Sequence, residues 1–371
     1  MTSGPYPKIT DYLEALQRDR RCLRCPKLRQ AKVEAGLMGR PVCFHGAFAI
    51  VVKLEINGIN KAIRMFTQRV PNAEQHYTAI SPYLQTHAPS HFLQYEYDAQ
   101  GITINNRPYP VLITDWLHGK TLKPFIEESL GDKKRLLLLA DAWRNMIRTL
   151  LQARIAHGDL QEANIFVQTN ASGDHLKLLD YDSLVVPELE GLPETIIGVD
   201  AYQHPQRCNV RHKSLNVDTF SALAIDLSIR AFAYCPDLWE RWEIEDLDGS
   251  LLLDARDYSR PNESPKIQYL RTIQELKPLV TALTQYCNSP DPLALEPVED
   301  VWFVPEPPSW IQNPPKTPLS WHEIAKPAIS LSPPDWLTQP LPRSQRPQPT
   351  ATQPTEPPPT WLQKTKPPKD L

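Results

Sequence analysis

The sequence predicts an α+β fold in which a small β-rich lobe precedes a larger helical one. Three observations predict it. Residues 41–118 carry β-branched and aromatic runs, two of them joined by Asn57-Gly58, a strong hairpin signal. Beyond residue 119 the apolar spacing changes to three and four residues. Residues 217–234 then form one largely apolar run of helical length. With 371 residues and a 41% hydrophobic share, the chain can bury a substantial core.

In chain order, residues 1–40 read as an N-terminal extension. Asp11 and Glu14 have the spacing of a capping box opening the helix DYLEALQRDR. Arg18, Arg20, Arg21, Arg24, Lys27, Arg29 and Lys32 follow as a basic cluster without interleaved aromatics, which reads as a solvated or docked face rather than a nucleic-acid platform. Residues 41–118 form the small lobe: strands AFAIVVKLEI and KAIRMF, a helix over AEQHYTAISPYL, and the buried strand YPVLITDWL. Residues 119–290 form the helical lobe. Its first long helix presents Leu136, Leu139, Trp143, Ile147 and Leu150 on one face.

Residues 291–371 read as a disordered tail. From Val301 onward the chain holds about half of its 39 prolines and no glycine, a composition that favours extended polyproline II over a packed fold. Three copies of Pro-Pro-x-Trp-Ile/Leu place Trp310, Trp336 and Trp361 at nearly even spacing. Each suits a low-entropy anchor for a partner's groove.

The chemistry concentrates between residues 157 and 182. His157-Gly158-Asp159 is followed by Asn164, five residues after the Asp. Asp180 comes next, at the end of the apolar run Lys177-Leu178-Leu179. An Asp that orients a hydroxyl, together with an Asn oxygen and a second carboxylate for a hard cation, suits phosphoryl transfer.

This ordered set resembles the protein-kinase superfamily over roughly residues 42–290. HGDLQEAN matches the catalytic loop, and Asp180-Tyr181-Asp182 stands where that family has Asp-Phe-Gly. HGDLQ, DYD and YQHPQR together are more closely similar to a bacterial group of serine/threonine-kinase-like proteins. The resemblance implies ATP and Mg²⁺ as cofactors, Asp159, Asn164 and Asp180 as catalytic residues, and Asn164 with Asp180 as metal ligands. It also implies a phosphate loop around Gly46 and Val51, Arg64 as the phosphate-binding cation, Glu74 as its ion-pair partner, and Gln161 beside the transferred group. Asp115 and Leu117 fall in the adenine-holding hinge, with Thr114 as gatekeeper. Tyr202 to Gln206 resembles the end of an activation segment, and Asp218 matches the Asp that braces the catalytic loop.

Several positions depart from the family. Arg64 stands in place of lysine and is bulkier. Gln161 replaces a lysine whose loss removes about 2–4 kcal/mol of transition-state stabilisation. Asp182 replaces a glycine and adds a carboxylate near the metal position. The phosphate loop keeps only Gly46, and Gly158 replaces the arginine that reads a phosphorylated loop, so activation by loop phosphorylation is not expected.

The expected function is transfer of the ATP γ-phosphate to Ser or Thr of a protein. The first alternative is an ATP- and Mg-binding pseudokinase scaffold whose tail recruits partners. The second is a small-molecule kinase, because aminoglycoside- and choline-kinase-like enzymes write the loop as HGD followed by Asn. The net charge of −3 argues against nucleic acid or an anionic membrane as partner. No run reaches the length of a membrane span and no signal peptide is evident; Cys43, Cys208, Cys235 and Cys287 are scattered, and Cys22 and Cys25 form a Cys-x-x-Cys with no second pair nearby to complete a zinc site, which fits a cytoplasmic protein.

Overall fold

The computed structural model describes residues 5–34, 41–46, 48–194, 196–244 and 249–302, all within one compact unit. The proline-rich tail with Trp310, Trp336 and Trp361 lies outside the described residues, as does Ala47 in the phosphate loop.

Two tight turns build the first lobe. Asn57 and Gly58 both have positive φ (52° and 80°), the backbone of a type I′ turn. They join β3 (Ala49–Ile56) to β4 (Ile59–Phe66), with Ile56 opposite Ile59. Asn105 and Asn106 (φ 49° and 64°) make the corresponding turn between β5 (Tyr95–Ile104) and β6 (Arg107–Asp115). Short strands β1 (Lys32–Val33) and β2 (Cys43–His45) both pair with β3, and the antiparallel sheet runs β1-β3-β4-β6-β5.

Strand alternation gives the sheet two functional faces. Ile50, Val52, Leu54, Ile63, Met65 and Val111 point to one side and pack against the N-terminal segment. That segment contains α1 (Ile9–Arg18) and α2 (Pro26–Arg29). Tyr12, Leu16, Leu23 and Leu28 are buried in this core, and the Tyr12 hydroxyl donates to the Phe66 carbonyl at 2.6 Å. The N-terminal segment is thus a second layer of the small lobe. Its first helix starts earlier than the expected capping box: the N-cap is Lys8, whose N–H donates to Asp11 at 2.8 Å. Val51, Ala62, Arg64, Leu112 and Thr114 point to the other face. Helix α3 (Ala73–His87) packs beside them through Tyr77, which stacks on Tyr97 at 5.4 Å.

The second lobe is helical. A short strand β7 (Lys120–Thr121) leads into α4 (Leu122–Glu128) and α5 (Lys133–Gln152). The five α5 residues expected on one apolar face are all buried. They meet α6 (Thr219–Tyr234), buried nearly all round, and the Trp143 indole N–H donates to the Ala222 carbonyl at 3.0 Å. Inside α6, Asp226 has no exposed side chain and accepts from Arg144 at 2.7 Å and Arg230 at 3.1 Å. Helices α7 (Leu238–Arg241), α8 (Ala255–Ser259), α9 (Pro265–Leu270), α10 (Lys277–Cys287) and α11 (Val298–Trp302) close the lobe. The α+β class with a β-rich first lobe and a larger helical second lobe is the one the sequence implies. Among the described residues, no helix is long and apolar enough to cross a membrane.

Between the lobes lies a three-stranded sheet, β7 with β8 (Ile165–Asn170) and β9 (Gly173–Leu178). Its register positions the chemistry. Ile165 pairs with Leu178, so the residue before β8 and those after β9 are neighbours. The Leu179 N–H donates to the Asn164 carbonyl at 2.8 Å. Asn164 and Asp180 are brought together by that pairing.

Candidate functional site

A cavity of about 280 Å³ opens between the β lobe and the residues around β8 and β9. Gly46, Val51, Arg64, Asp115, Leu117, Asn164 and Asp180, all expected at the site from sequence, line it, and so does Thr114. Ala62, Leu112, Phe166 and Leu179 make its walls largely apolar, as suits a flat heterocycle. Trp116 and Phe44 also line it, with ring centroids 5.3 Å apart, and the Lys53 ammonium lies 5.1 Å from the Trp116 ring. The Asp115 carboxylate is ion-paired to Lys61.

Asp159 lies beside this cavity, tied to it through Asn164. The Asn164 amide nitrogen donates to the Asp159 carbonyl at 2.9 Å and to Asp159 Oδ2 at 3.0 Å. Gln161 donates to the same oxygen at 2.8 Å. Oδ1 accepts the Val199 N–H at 3.1 Å. Three donors fix the carboxylate's orientation. The adjoining Gly198 has no room for a side chain, since a Cβ there would fall 2.5 Å from Asp159 Oδ1 and from Gln203 Nε2.

The loop backbone is braced from below. Buried Asp218 accepts the His157 and Gly158 N–H groups, the latter at 2.9 Å, as the family resemblance implies. Burial pushes its carboxyl up, while His157 and those two N–H groups oppose the shift. The Tyr202 hydroxyl donates to Glu162, and His204 Nε2 lies 2.8 Å from the Tyr286 carbonyl while its Nδ1 accepts the Gln206 N–H at 2.9 Å. The His204 proton therefore sits on Nε2, and the segment is keyed to α10.

Arg64 departs from expectation. Glu74 is exposed, and the ion pair expected between it and Arg64 is not made among the described residues. The α3 residue that reaches Arg64 is Tyr77, one turn further on, whose hydroxyl accepts from Nη1 at 3.0 Å. The main partner is Asp182: Nη1 donates to its Oδ1 at 3.0 Å and Nη2 to its Oδ2 at 2.7 Å. Nη2 also stands 3.1 Å from Asp180 Oδ1. Asp182, expected as an added carboxylate at the metal position, is instead 4% exposed and held by the guanidinium. Burial pushes its carboxyl up, but Arg64 and the Tyr77 hydroxyl outweigh this and hold it below the usual range. Asp180 sits in a left-handed backbone conformation (φ 60°) with 39% of its side chain open to the cleft. Desolvation by the surrounding protein, against the pull of Arg64, pushes its carboxyl up.

Tyr77, Val199 and the clamping role of Asp182 were not read from the sequence. Helical spacing offered a signal for Tyr77, because residue 77 shares a face with buried Ala73 and Ile80 while Glu74 does not.

The residues present fit a divalent ion. The Asn164 amide nitrogen is engaged by Asp159, which leaves its oxygen as an acceptor on the cavity wall, and Asp180 adds a carboxylate. Among the described residues, no group of three or more His, Cys, Asp or Glu is arranged to hold a metal. Two protein oxygens with the remainder supplied by ligand and water is the usual arrangement for Mg²⁺.

No protein-family model matches this chain, and no curated protein matches it. Solved structures do. One is the kinase domain of PknI from Mycobacterium tuberculosis, at 12% identity and a TM-score of 0.44, covering 71% of this chain and 89% of that one.

Proposed function

We propose that the chain is a kinase-like phosphotransferase that binds ATP with Mg²⁺ in this cavity and moves the γ-phosphate to a Ser or Thr hydroxyl of a protein. One observation carries the reading: Asn164 and Asp180 line a single apolar cavity, and Asn164 is hydrogen-bonded to Asp159 at its edge. The apolar walls would hold adenine, and Asn164 and Asp180 would hold the ion. Mg²⁺ held there would supply positive charge to the phosphates. Asp159, fixed by Asn164, Gln161 and Val199, orients the acceptor hydroxyl and receives its proton. The Trp motifs of the tail would recruit the protein partner.

The test is incubation of the full chain with labelled Mg-ATP, alone and with a generic protein substrate. Asp159→Ala is expected to reduce label transfer by 10²-fold or more while nucleotide binding persists. Equal labelling by wild type and variant would refute the assignment.

A second reading is supported by the capture of Arg64: a nucleotide-binding scaffold that transfers no phosphate. It predicts Mg-dependent stabilisation by ATP with no label on any protein, with or without Asp159.

A further inference from the structure

Arg64 is the only Lys or Arg among the described residues lining the cavity, and both of its terminal nitrogens are already engaged inside the protein. The two terminal nitrogens of a guanidinium carry four N–H groups. Here they face four acceptors: Nη1 faces the Tyr77 hydroxyl and Asp182 Oδ1, and Nη2 faces Asp182 Oδ2 and Asp180 Oδ1. The Tyr77 hydroxyl in turn donates to Asp182, closing the network. The Arg64 side chain is 16% exposed and that of Asp182 is 4% exposed, so water does little to loosen this fork-on-fork pair.

The consequence is electrostatic. Arg64 and Asp180 line this end of the cavity, the carboxylates of Asp159 and Asp182 lie beside it, and the Lys213 ammonium that also acts on Asp182 is itself paired to Glu194, so negative charge is in excess. Gln161 is neutral. A phosphate chain arriving alone meets excess negative charge and an arginine that must first leave Asp182. Leaving it would strand a buried carboxylate, which is strongly unfavourable.

Building on the adenine-nucleotide reading, we propose that Asp182, seconded by Tyr77, is the specificity-determining residue of the cavity. It withholds Arg64 from ligand phosphates, so the cavity recognises the adenine nucleoside portion and accepts phosphates only together with a divalent cation. The cation, and not Arg64, supplies the positive charge for the triphosphate.

The experiment is calorimetric titration of the full chain with adenosine and with ATP, each in chelator and in Mg²⁺. Wild type in chelator is expected to bind ATP no more tightly than adenosine, and Mg²⁺ to tighten ATP alone. Asp182→Asn, which frees Arg64, is expected to tighten metal-free ATP about tenfold, the scale of one charge-assisted hydrogen bond. Its adenosine affinity should stay within about threefold of wild type. A role for Asp182 in packing alone would move both ligands together. The double variant Arg64→Gln/Asp182→Asn removes both charges together, so neither member of the Arg64–Asp182 pair is left buried alone. It is expected to keep the wild-type ratio of metal-free ATP to adenosine affinity within about threefold, and a tenfold fall would show that Arg64 already serves the phosphates. Wild type preferring metal-free ATP to adenosine by tenfold overturns this proposal and leaves the adenine reading intact. Failure of both adenosine and Mg-ATP to bind overturns both.

Discussion

At the scale of single residues, two positions show how the backbone dictates identity. Gly158 has φ 79°, and a Cβ there would lie 2.7 Å from the Ser183 carbonyl oxygen. The position that could hold a phosphate-reading arginine is therefore closed by backbone, not merely left empty. His76 lies on α3, and its Nε2 stands 2.7 Å from the Tyr181 carbonyl, so the neutral ring donates there. Burial pushes its pKa down to about 4. The hydrogen bond to Tyr181 opposes that shift, Lys213 adds to it, and Asp182 counters it. Since the folded value lies below the unfolded one of about 6.5, the unfolded chain binds a proton that the folded chain does not as pH falls between them. Stability is therefore lost on acidification, by about 2 kcal/mol from this residue between pH 7 and pH 5. His91 and His204 are also lowered, chiefly by burial, whereas burial raises Glu162 and gives the opposite dependence. The measurement is thus a difference. His76→Gln, which can still donate to Tyr181, should show a flatter melting profile than wild type from pH 7 to 5. Parallel profiles would mean that His76 does not titrate in this window.

At the scale of elements, legibility followed how local the signal was. The Asn57-Gly58 hairpin, the apolar face of α5 and the nearly all-buried α6 were plain because turn chemistry and 3.6-residue periodicity act over a few neighbours. Strand β5 was not read, although Asn105-Asn106 turns the chain much as Asn57-Gly58 does. Apolar and polar residues alternate from Tyr95 to Gln100, a strand signal only six residues long, and pairing with β6 carries the strand on to Ile104. Helix α1 was read as a helix, but nothing local says what its apolar face meets. In the structure Leu16 is 1% exposed, in one buried core with Ile50, Val52 and Val111. Leu16→Ala should therefore lower unfolding free energy by about 2–4 kcal/mol in urea titration, the cost of a cavity in a packed core. A change under about 0.5 kcal/mol would show that the N-terminal segment rests on the sheet without sharing its core.

At the scale of the whole molecule, the chain builds two cores and ties them at the cleft. One joins the N-terminal helices to the outer face of the sheet. The other fills the helical lobe and reaches up through Tyr77, Phe66 and Leu112. The site lies along their boundary. Asn164, Asp159 and Asp180 were legible because they sit close together in sequence around one β-hairpin. The partners of Arg64 were not, because Asp182 lies 118 residues away. Arg64 links β4, α3 and the segment after β9, and it works beside the hydrogen bonds from Leu93 N–H to the Tyr181 hydroxyl (2.8 Å) and from Leu178 N–H to the His91 carbonyl (2.8 Å). If this clamp couples the lobes, removing it should loosen the junction before it loosens either core, because local openings follow the contacts that hold a segment. Hydrogen exchange on Arg64→Gln/Asp182→Asn is expected to speed amides of residues 178–184 by about tenfold or more. The central amides of α5 and α6 should keep their wild-type rates. Uniform acceleration across both lobes would mean that the pair contributes only to global stability, and the clamp would have no separate part in holding the cleft.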